Sequence, residues 1–300
     1  MSVINTNVNS LVAQNAVNLN ARNLSNAMEQ LSTGKRINGA KDDAAGLSIA
    51  QVMTSQIRGL NMAIRNANDG ISLLQTADGA MIEQSNMLQR MRELAVQAAS
   101  DTVTDTQKGF LNNEFAALRT EINRIGTNTS WNDRSLLDGS GGLAGASTTI
   151  TGGLAGKYAF QVGSSSTTIT VDVPNARSDG KTATAGGVLE GTDPIYVAIH
   201  TSTIANADGA KSAIAAVDSS LTAANTARSK IGAAINQLTY AADNMSNIAM
   251  NTAASRSRIE DTDYAQASTE LARTQIIQQA ATAMLAQANQ SPQSVLALLK

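Results

Sequence analysis

The chain of 300 residues contains no cysteine and a single histidine, His200. No disulfide, thiolate zinc site or iron–sulfur cluster can form, and one imidazole argues against a histidine-based metal centre. Aromatic residues amount to only 3%. Cores of ordinary globular domains draw much of their buried area from aromatics. An aromatic-poor, alanine-rich chain fits thin helices packed closely side by side instead. No stretch reaches the roughly 18 consecutive apolar residues of a membrane-spanning helix. The start, Met1-Ser2-Val3-Ile4-Asn5-Thr6, has no basic residue, and its apolar residues alternate with Asn. It does not read as a cleaved secretory signal, which excludes only the common export routes. With 22 basic and 24 acidic residues the formal net charge is -2. Nothing in that balance points to nucleic acid or to an anionic membrane.

Charge is missing in two particular places. Val3 to Ala21 contains no Asp, Glu, Lys or Arg, and neither does Thr274 to Leu299. Both stretches are patterned like helices. Exposed helices of soluble monomers carry charge, because uncharged amphipathic surface invites association. Two such ends on one chain imply segments that meet solvent only before assembly, and so a subunit that polymerises.

Glycine and proline divide the chain into three parts. Most of the turn-forming residues lie between Gly139 and Pro194, whereas Ala80–Lys108 and Ala233–Ser291 contain neither Gly nor Pro. Long helical arms therefore flank a turn-rich middle. The arms carry stripes that step by three and four residues. These are Val17, Ala21, Leu24, Met28 and Leu31; Met53, Ile57, Leu60, Ile64, Ala67, Ile71 and Leu74; and Leu111, Phe115, Leu118, Ile122 and Ile125. The longest runs through Ile214, Val217, Leu221, Ala224, Arg228, Ile231, Ile235, Leu238, Ala242, Met245 and Ala249, and Ile277, Ala281, Met284 and Ala288 make a last one. Such spacing places side chains on one seam of a helix. A single helix over 233–291 would be ~90 Å long at 1.5 Å per residue, and a break is expected near Glu260-Asp261-Thr262-Asp263. Asp42 or Asp43 is positioned to cap a helix beginning near Ala44. The predicted fold is mainly α: a long antiparallel helical rod or coiled coil of N- and C-terminal arms with a small inserted β-rich module. Thr148–Thr151, Tyr158–Val162, Thr167–Val173 and Ile195–Ile199 are the predicted strands of that module.

No catalytic constellation stands out. Gly152-Gly153-Leu154-Ala155-Gly156-Lys157 has the wrong glycine spacing for a phosphate-binding loop, and Tyr158 stands where Ser or Thr is needed. Asp42-Asp43 and Asp261/Asp263 lack calcium-loop spacing and are read as caps. On the second arm, Arg90, Glu93, Leu94 and Gln97 fall on neighbouring positions of one helical face. That pattern fits a solvated face, and a Leu among charges also fits a binding anchor. Residue physics alone favours the solvated face.

Several segments carry a resemblance. Ile4-Asn5-Thr6-Asn7-Val8-Asn9-Ser10-Leu11 resembles the start of bacterial flagellin. Leu31-Ser32-Thr33-Gly34-Lys35-Arg36-Ile37-Asn38 with Ala40-Lys41-Asp42-Asp43-Ala44-Ala45-Gly46-Leu47 resembles the N-terminal signature of that family. Arg256-Ser257-Arg258-Ile259-Glu260-Asp261-Thr262-Asp263-Tyr264 and Gln287-Ala288-Asn289-Gln290 resemble its C-terminal signature. The likeness covers about residues 1–140 and 205–300, and leaves the middle as a short variable region.

The resemblance implies a structural, non-enzymatic subunit of the motile flagellar filament, without cofactor or metal. It implies export in the unfolded state through the flagellar type III channel, and an extracellular location. Residues 1–43 with 256–300 would form the inner filament core, 44–140 with 201–255 the helical rod, and 141–200 the exposed variable part. Ile4, Val8, Leu11, Val17, Leu24, Leu31, Ile277, Met284, Leu296 and Leu299 are the expected core-assembly residues. Implied partners are further copies of the chain, an export chaperone at the C-terminal segment, the filament cap and hook-associated proteins. Gln89, Arg90, Leu94 and Glu114 match the surface recognised by Toll-like receptor 5, which is also expected to be an inter-subunit contact; Met91 stands where the family's motif commonly has Val. Two other readings stand beside this one: a hook–filament junction protein, and a surface adhesin binding glycans through the β-rich insert, with Tyr158, Phe160 and Tyr196 its aromatic residues.

Overall fold

A computed structural model describes residues 7–138, 156–163, 167–177 and 196–298, with the backbone alone at 197 and 291–298. The expected assembly residues Ile4 and Leu299, the side chain of Leu296, the expected strand Thr148–Thr151 and most of the glycine-rich run before Lys157 lie outside the described residues.

Five helices dominate: α1 (Val8–Thr33), α2 (Ala44–Ala98), α3 (Asp105–Asn128), α4 (Ala207–Glu260) and α5 (Tyr264–Leu298). Among the described residues between α3 and α4 come two antiparallel hairpins, β1 (Ser130–Trp131) with β2 (Arg134–Ser135), and β3 (Lys157–Gln161) with β4 (Thr168–Asp172). The fold is mainly α, with long antiparallel helices and a small β insert. The chain forms two compact units, a terminal unit of residues 1–57 and 250–300 and a central unit of residues 58–249.

In the central unit a heptad seam closes the core. On α2 it runs through Leu60, Ala63, Ala67, Leu74, Ala77, Met81, Leu88, Met91, Ala95 and Ala98. On α4 it runs through Ala210, Ala213, Val217, Ser220, Ala224, Ala227, Ile231, Ala234 and Leu238, and continues to Met245 and Ala249. Two ion pairs fix the antiparallel register of these helices: Arg92 to Asp218 at 2.7 Å and Arg228 to Asp78 at 2.8 Å. α3 folds back along α2, buries Phe115 and Ile122, and receives the Gln84 amide on the Ile122 carbonyl at 3.0 Å. A capping box between Thr104 and Gln107 starts it.

The seam is one residue out of phase with the expected stripes in one of its two columns. Val217, Ala224, Ile231, Leu238 and Met245 are buried as expected, but the second column is Ala213, Ser220, Ala227 and Ala234, not Ile214, Leu221, Arg228 and Ile235. On α2 the second column likewise holds Ala63, Gly70 and Ala77 in place of Ile64 and Ile71. The larger side chains pack along the edge of the seam, half-buried.

Hairpin β3–β4 lies on α2. Tyr158 pairs with Val171, and both are buried. Phe160 rests on Gly70, where a Cβ would stand 2.8 Å from its ring, so the glycine makes room for the insert. The β1–β2 turn has Asn132 and Asp133 at φ 48° and 62°, the left-handed pair of a tight hairpin loop. The expected strand at 195–199 is corrected for its described residues: Val197–Ile199 is a 3-10 turn. Tyr196 and Ile199 are both fully buried while Ala198 is exposed, a period of three.

In the terminal unit α1 and α5 run antiparallel. The buried Asn20 amide donates to the Thr274 carbonyl at 2.8 Å and to Gln278 Oε1 at 3.0 Å. Nearer the other end, Asn7 donates to the Ala288 carbonyl at 2.8 Å. The break between α4 and α5 falls at Asp261–Asp263, where the sequence turns polar. There the chain pairs with the stretch after α1: Lys35 and Asp261 form a bridge, Arg36 N donates to Glu260 O at 2.7 Å, and Thr262 N donates to Gly34 O at 3.0 Å. Gly34 caps α1 at φ 71°, a left-handed conformation natural to glycine. Asp43 Oδ1 accepts from Gly46 N at 2.8 Å and opens α2, while Asp42 Oδ2 accepts from the backbone of Asn38 and Gly39.

Candidate interaction surfaces

The terminal unit does not complete its own core. Among the described residues, its fully buried apolar side chains are Ala27, Ile37, Ala50 and Ala267, three of them alanines. Against them stand twelve large apolar side chains left exposed, of the nineteen in the described chain. Val8, Leu11, Val12, Ile276 and Met284 are each more than half exposed. The buried residues Ala267 and Thr274 and the half-buried Ala281 and Ala288 form the inward column of α5 at heptad spacing. Ile277 and Met284, three residues further along the turn, therefore face out. Between α1 and α5 lies a groove of about 700 Å³, lined by Val12, Ala13, Ala16, Ile277, Ala280, Met284 and their neighbours.

The expected assembly residues divide accordingly. Val8, Leu11, Ile277 and Met284 are exposed, whereas Val17, Leu24 and Leu31 are half-buried along the α1–α5 seam. The sequence reading did not single out Val12 or Ile276, which belong to the same outward surface. Their signal was present in the uncharged ends, but the stripe rule picks one face of a helix and both faces here carry apolar residues. Asn20 was also missed: a polar residue between the apolar columns of α1, it holds the register with α5.

On the central unit, Gln89, Arg90 and Glu114 lie at the surface of α2 and α3. Arg90 Nε donates to Glu114 Oε1 at 2.9 Å and Arg90 Nη1 to Glu93 Oε2 at 3.0 Å. The hydrogen bond to Glu93, then that to Glu114, raises the guanidinium pKa further above its already high value. Leu94 is the correction in this group. It is 1% exposed and sits in the core beside Met91, Ala95 and Ala98. Four residues from Arg90, it lies on the inward edge of the face, and an apolar side chain there gains more from burial than from water. It lies under the patch and is no part of its surface. Gln89, Arg92, Glu93, Val96 and Gln97 outline a shallow depression beside it.

The aromatic residues of the insert do not form an open platform. Tyr158 is buried, donates its hydroxyl to the Ser135 carbonyl at 2.9 Å and has the Arg134 guanidinium 5.7 Å from its ring centre. Burial raises its pKa, partly offset by Arg134. Tyr196 is more deeply buried, and its hydroxyl has no hydrogen-bond partner among the described residues. Burial pushes its pKa well above the usual phenol range, with nearby Arg228 opposing. Among the described residues no three His, Cys, Asp or Glu stand together as metal ligands, and no helix is long and apolar enough to cross a membrane.

A helical chain with a closed central core and apolar, uncharged ends left open is a structural protein of the kind completed by other chains. Comparison with known proteins gives the family. Residues 4–141 match the bacterial flagellin N-terminal helical region and residues 214–299 the bacterial flagellin C-terminal helical region. A flagellin of Halalkalibacterium halodurans is 40% identical over 298 residues, covering 99% of this chain and 100% of that one. Flagellin A of Vibrio anguillarum is 36% identical over an alignment of 375 positions, gaps included, covering 99% of each. The solved flagellin of Bacillus cereus overlays 60% of this chain and 88% of its own, with 25% identity and a TM-score of 0.46. The chain belongs to the bacterial flagellin family. It is thus a structural subunit that self-polymerises into the flagellar filament, extracellular in its working state, and not an enzyme.

Proposed function

We propose that the filament closes around the terminal unit: residues 1–43 and 256–300 form its inner core, 44–140 with 201–255 the helical layer around it, and 141–200 the solvent-facing part. The observation that carries this reading is the excess of exposed large apolar side chains over buried ones in the terminal unit. Neighbouring copies cover Val8, Leu11, Ile277 and Met284 in a head-to-tail contact that does not close on itself, which generates a helical polymer. The subunit is exported unfolded through the flagellar type III channel, its C-terminal segment held by a chaperone beforehand. The filament cap and hook-associated proteins meet it outside.

As a monomer the chain is also a ligand of Toll-like receptor 5. Gln89, Arg90 and Glu114 make the contact, with Leu94 holding α2 in place beneath them. The exposed Arg90–Glu114–Glu93 network supports this, since it joins α2 to α3 in one charged patch. The same patch lies between copies in the polymer and is hidden there.

Removal of residues 274–300 tests the central part. The truncated chain is expected to keep the cooperative unfolding transition of its central unit and to add nothing to sheared filament seeds under the electron microscope. Filaments grown from the truncated chain would refute the reading.

A further inference from the structure

Among the described methionines the three most exposed lie in the terminal unit, while Met62 of the central unit is 48% exposed. Met81 and Met91 are 0% exposed and Met245 is 4% exposed, all in the central core. Met28, Met250 and Met284 are 57%, 60% and 62% exposed, and all three belong to the terminal unit. Met284 lines the groove between α1 and α5, beside Val12, Ala16, Ile277 and Ala280, where Asn9 and Gln287 are the side chains able to donate a hydrogen bond. The chain has no cysteine, so no thiol competes for an oxidant. Thioether sulfur is then the side-chain group most open to two-electron oxidation, and Met284 carries one on the surface that must become dry.

We propose that Met284, together with Met28 and Met250, is an oxidative modification site: conversion to sulfoxide by hydrogen peroxide stops the chain from polymerising. The inference rests on the polymer reading above. In the reaction the sulfur lone pair attacks one peroxide oxygen, the O–O bond breaks and an S–O bond forms. The departing hydroxide takes up the proton released with that oxygen and leaves as water. The sulfur loses two electrons and the peroxide gains them. The product carries a strong acceptor oxygen on a formerly apolar side chain. Burying that oxygen against a second copy's apolar face strips it of water, which opposes the contact. Chains already in a polymer, with these sulfurs covered, are protected. Sensitivity thus belongs to the monomer.

The test treats the full-length monomer with graded hydrogen peroxide, stops the reaction with catalase, maps sulfoxide by peptide mass spectrometry and measures growth on sheared seeds. Sulfoxide is expected at Met28, Met250 and Met284 before Met81, Met91 and Met245, with polymer yield lost in step with it. An M28L/M250L/M284L chain, close in volume at each site, is expected to polymerise before treatment and after the same dose. Treatment of the oxidised parent with methionine sulfoxide reductases of both epimer specificities is expected to restore growth. Undiminished growth of chains carrying Met284 sulfoxide would overturn the inference alone, as would equal loss in the triple-leucine chain. Failure of the untreated parent to grow on seeds would instead overturn the polymer reading, and the inference with it.

Discussion

Arg90 and Leu94 stand four residues apart on α2 and carry opposite duties. Arg90 is a surface cation tied to two carboxylates, and Leu94 is a core residue beneath it. Replacing Leu94 by Ala should cost about 2–5 kcal/mol, the usual range for emptying a buried leucine site. Replacing Arg90 by Ala should leave the urea midpoint close to the parent's and reduce receptor activation by the monomer. Urea melts of both variants check this; a parent-like midpoint for L94A would contradict the placement. Tyr196 makes a second residue-scale case. Its folded-state pKa is raised by burial, so the stability it lends is complete below the free phenol value of about 10 and is lost as pH climbs from there towards the raised folded value. Unfolding midpoints of the parent should therefore fall between pH 9 and roughly 11, and Y196F should flatten that fall while matching the parent at pH 7, because the hydroxyl it removes has no partner among the described residues. An equally steep alkaline loss in Y196F would place the cause elsewhere.

At the scale of elements, the helical arms, the capping of α2 by Asp43 and the break at Asp261–Asp263 were legible in the sequence, because each rests on local pattern and local chemistry. The phase of the seam was only half legible. Stripe reading prefers the larger apolar residue of two neighbours, and so chose Ile64, Ile71, Ile214, Leu221 and Ile235. The fold buries Ala63, Gly70, Ala213, Ser220 and Ala234 instead, because small residues in one column let long helices approach closely and leave the large ones to seal the edges. Enlarging a buried small position is the direct check. A227L should cost about 1–3 kcal/mol by overpacking, whereas L221A, on the half-buried edge, should cost less than the same change at a buried leucine. A neutral A227L in thermal melts would mean the seam has been misplaced. The hairpin at 130–135 was announced by Asn132-Asp133 and went unread, and the described part of the strand expected at 195–199 is a turn instead, with Tyr196 and Ile199 buried three residues apart.

For the whole molecule, the candidate surface was legible from what the sequence leaves out: charge at both ends. Which of those apolar residues face outward was not, since α1 and α5 carry apolar residues on both faces and pairings such as Asn20 with Thr274 and Gln278 fix which face turns in. Leu94 shows the converse limit, an apolar residue among charges whose direction depends on the partner helices. The central claim is that the terminal unit is finished only by other copies. Hydrogen–deuterium exchange on monomer and on polymer of the same chain tests it most directly, because exchange reports local opening segment by segment. Amides of residues 8–33 and 264–290 should exchange fast in the monomer and slow sharply in the polymer, while those of 60–98 and 210–249 are protected in both. Terminal amides equally protected before and after polymerisation would contradict the account.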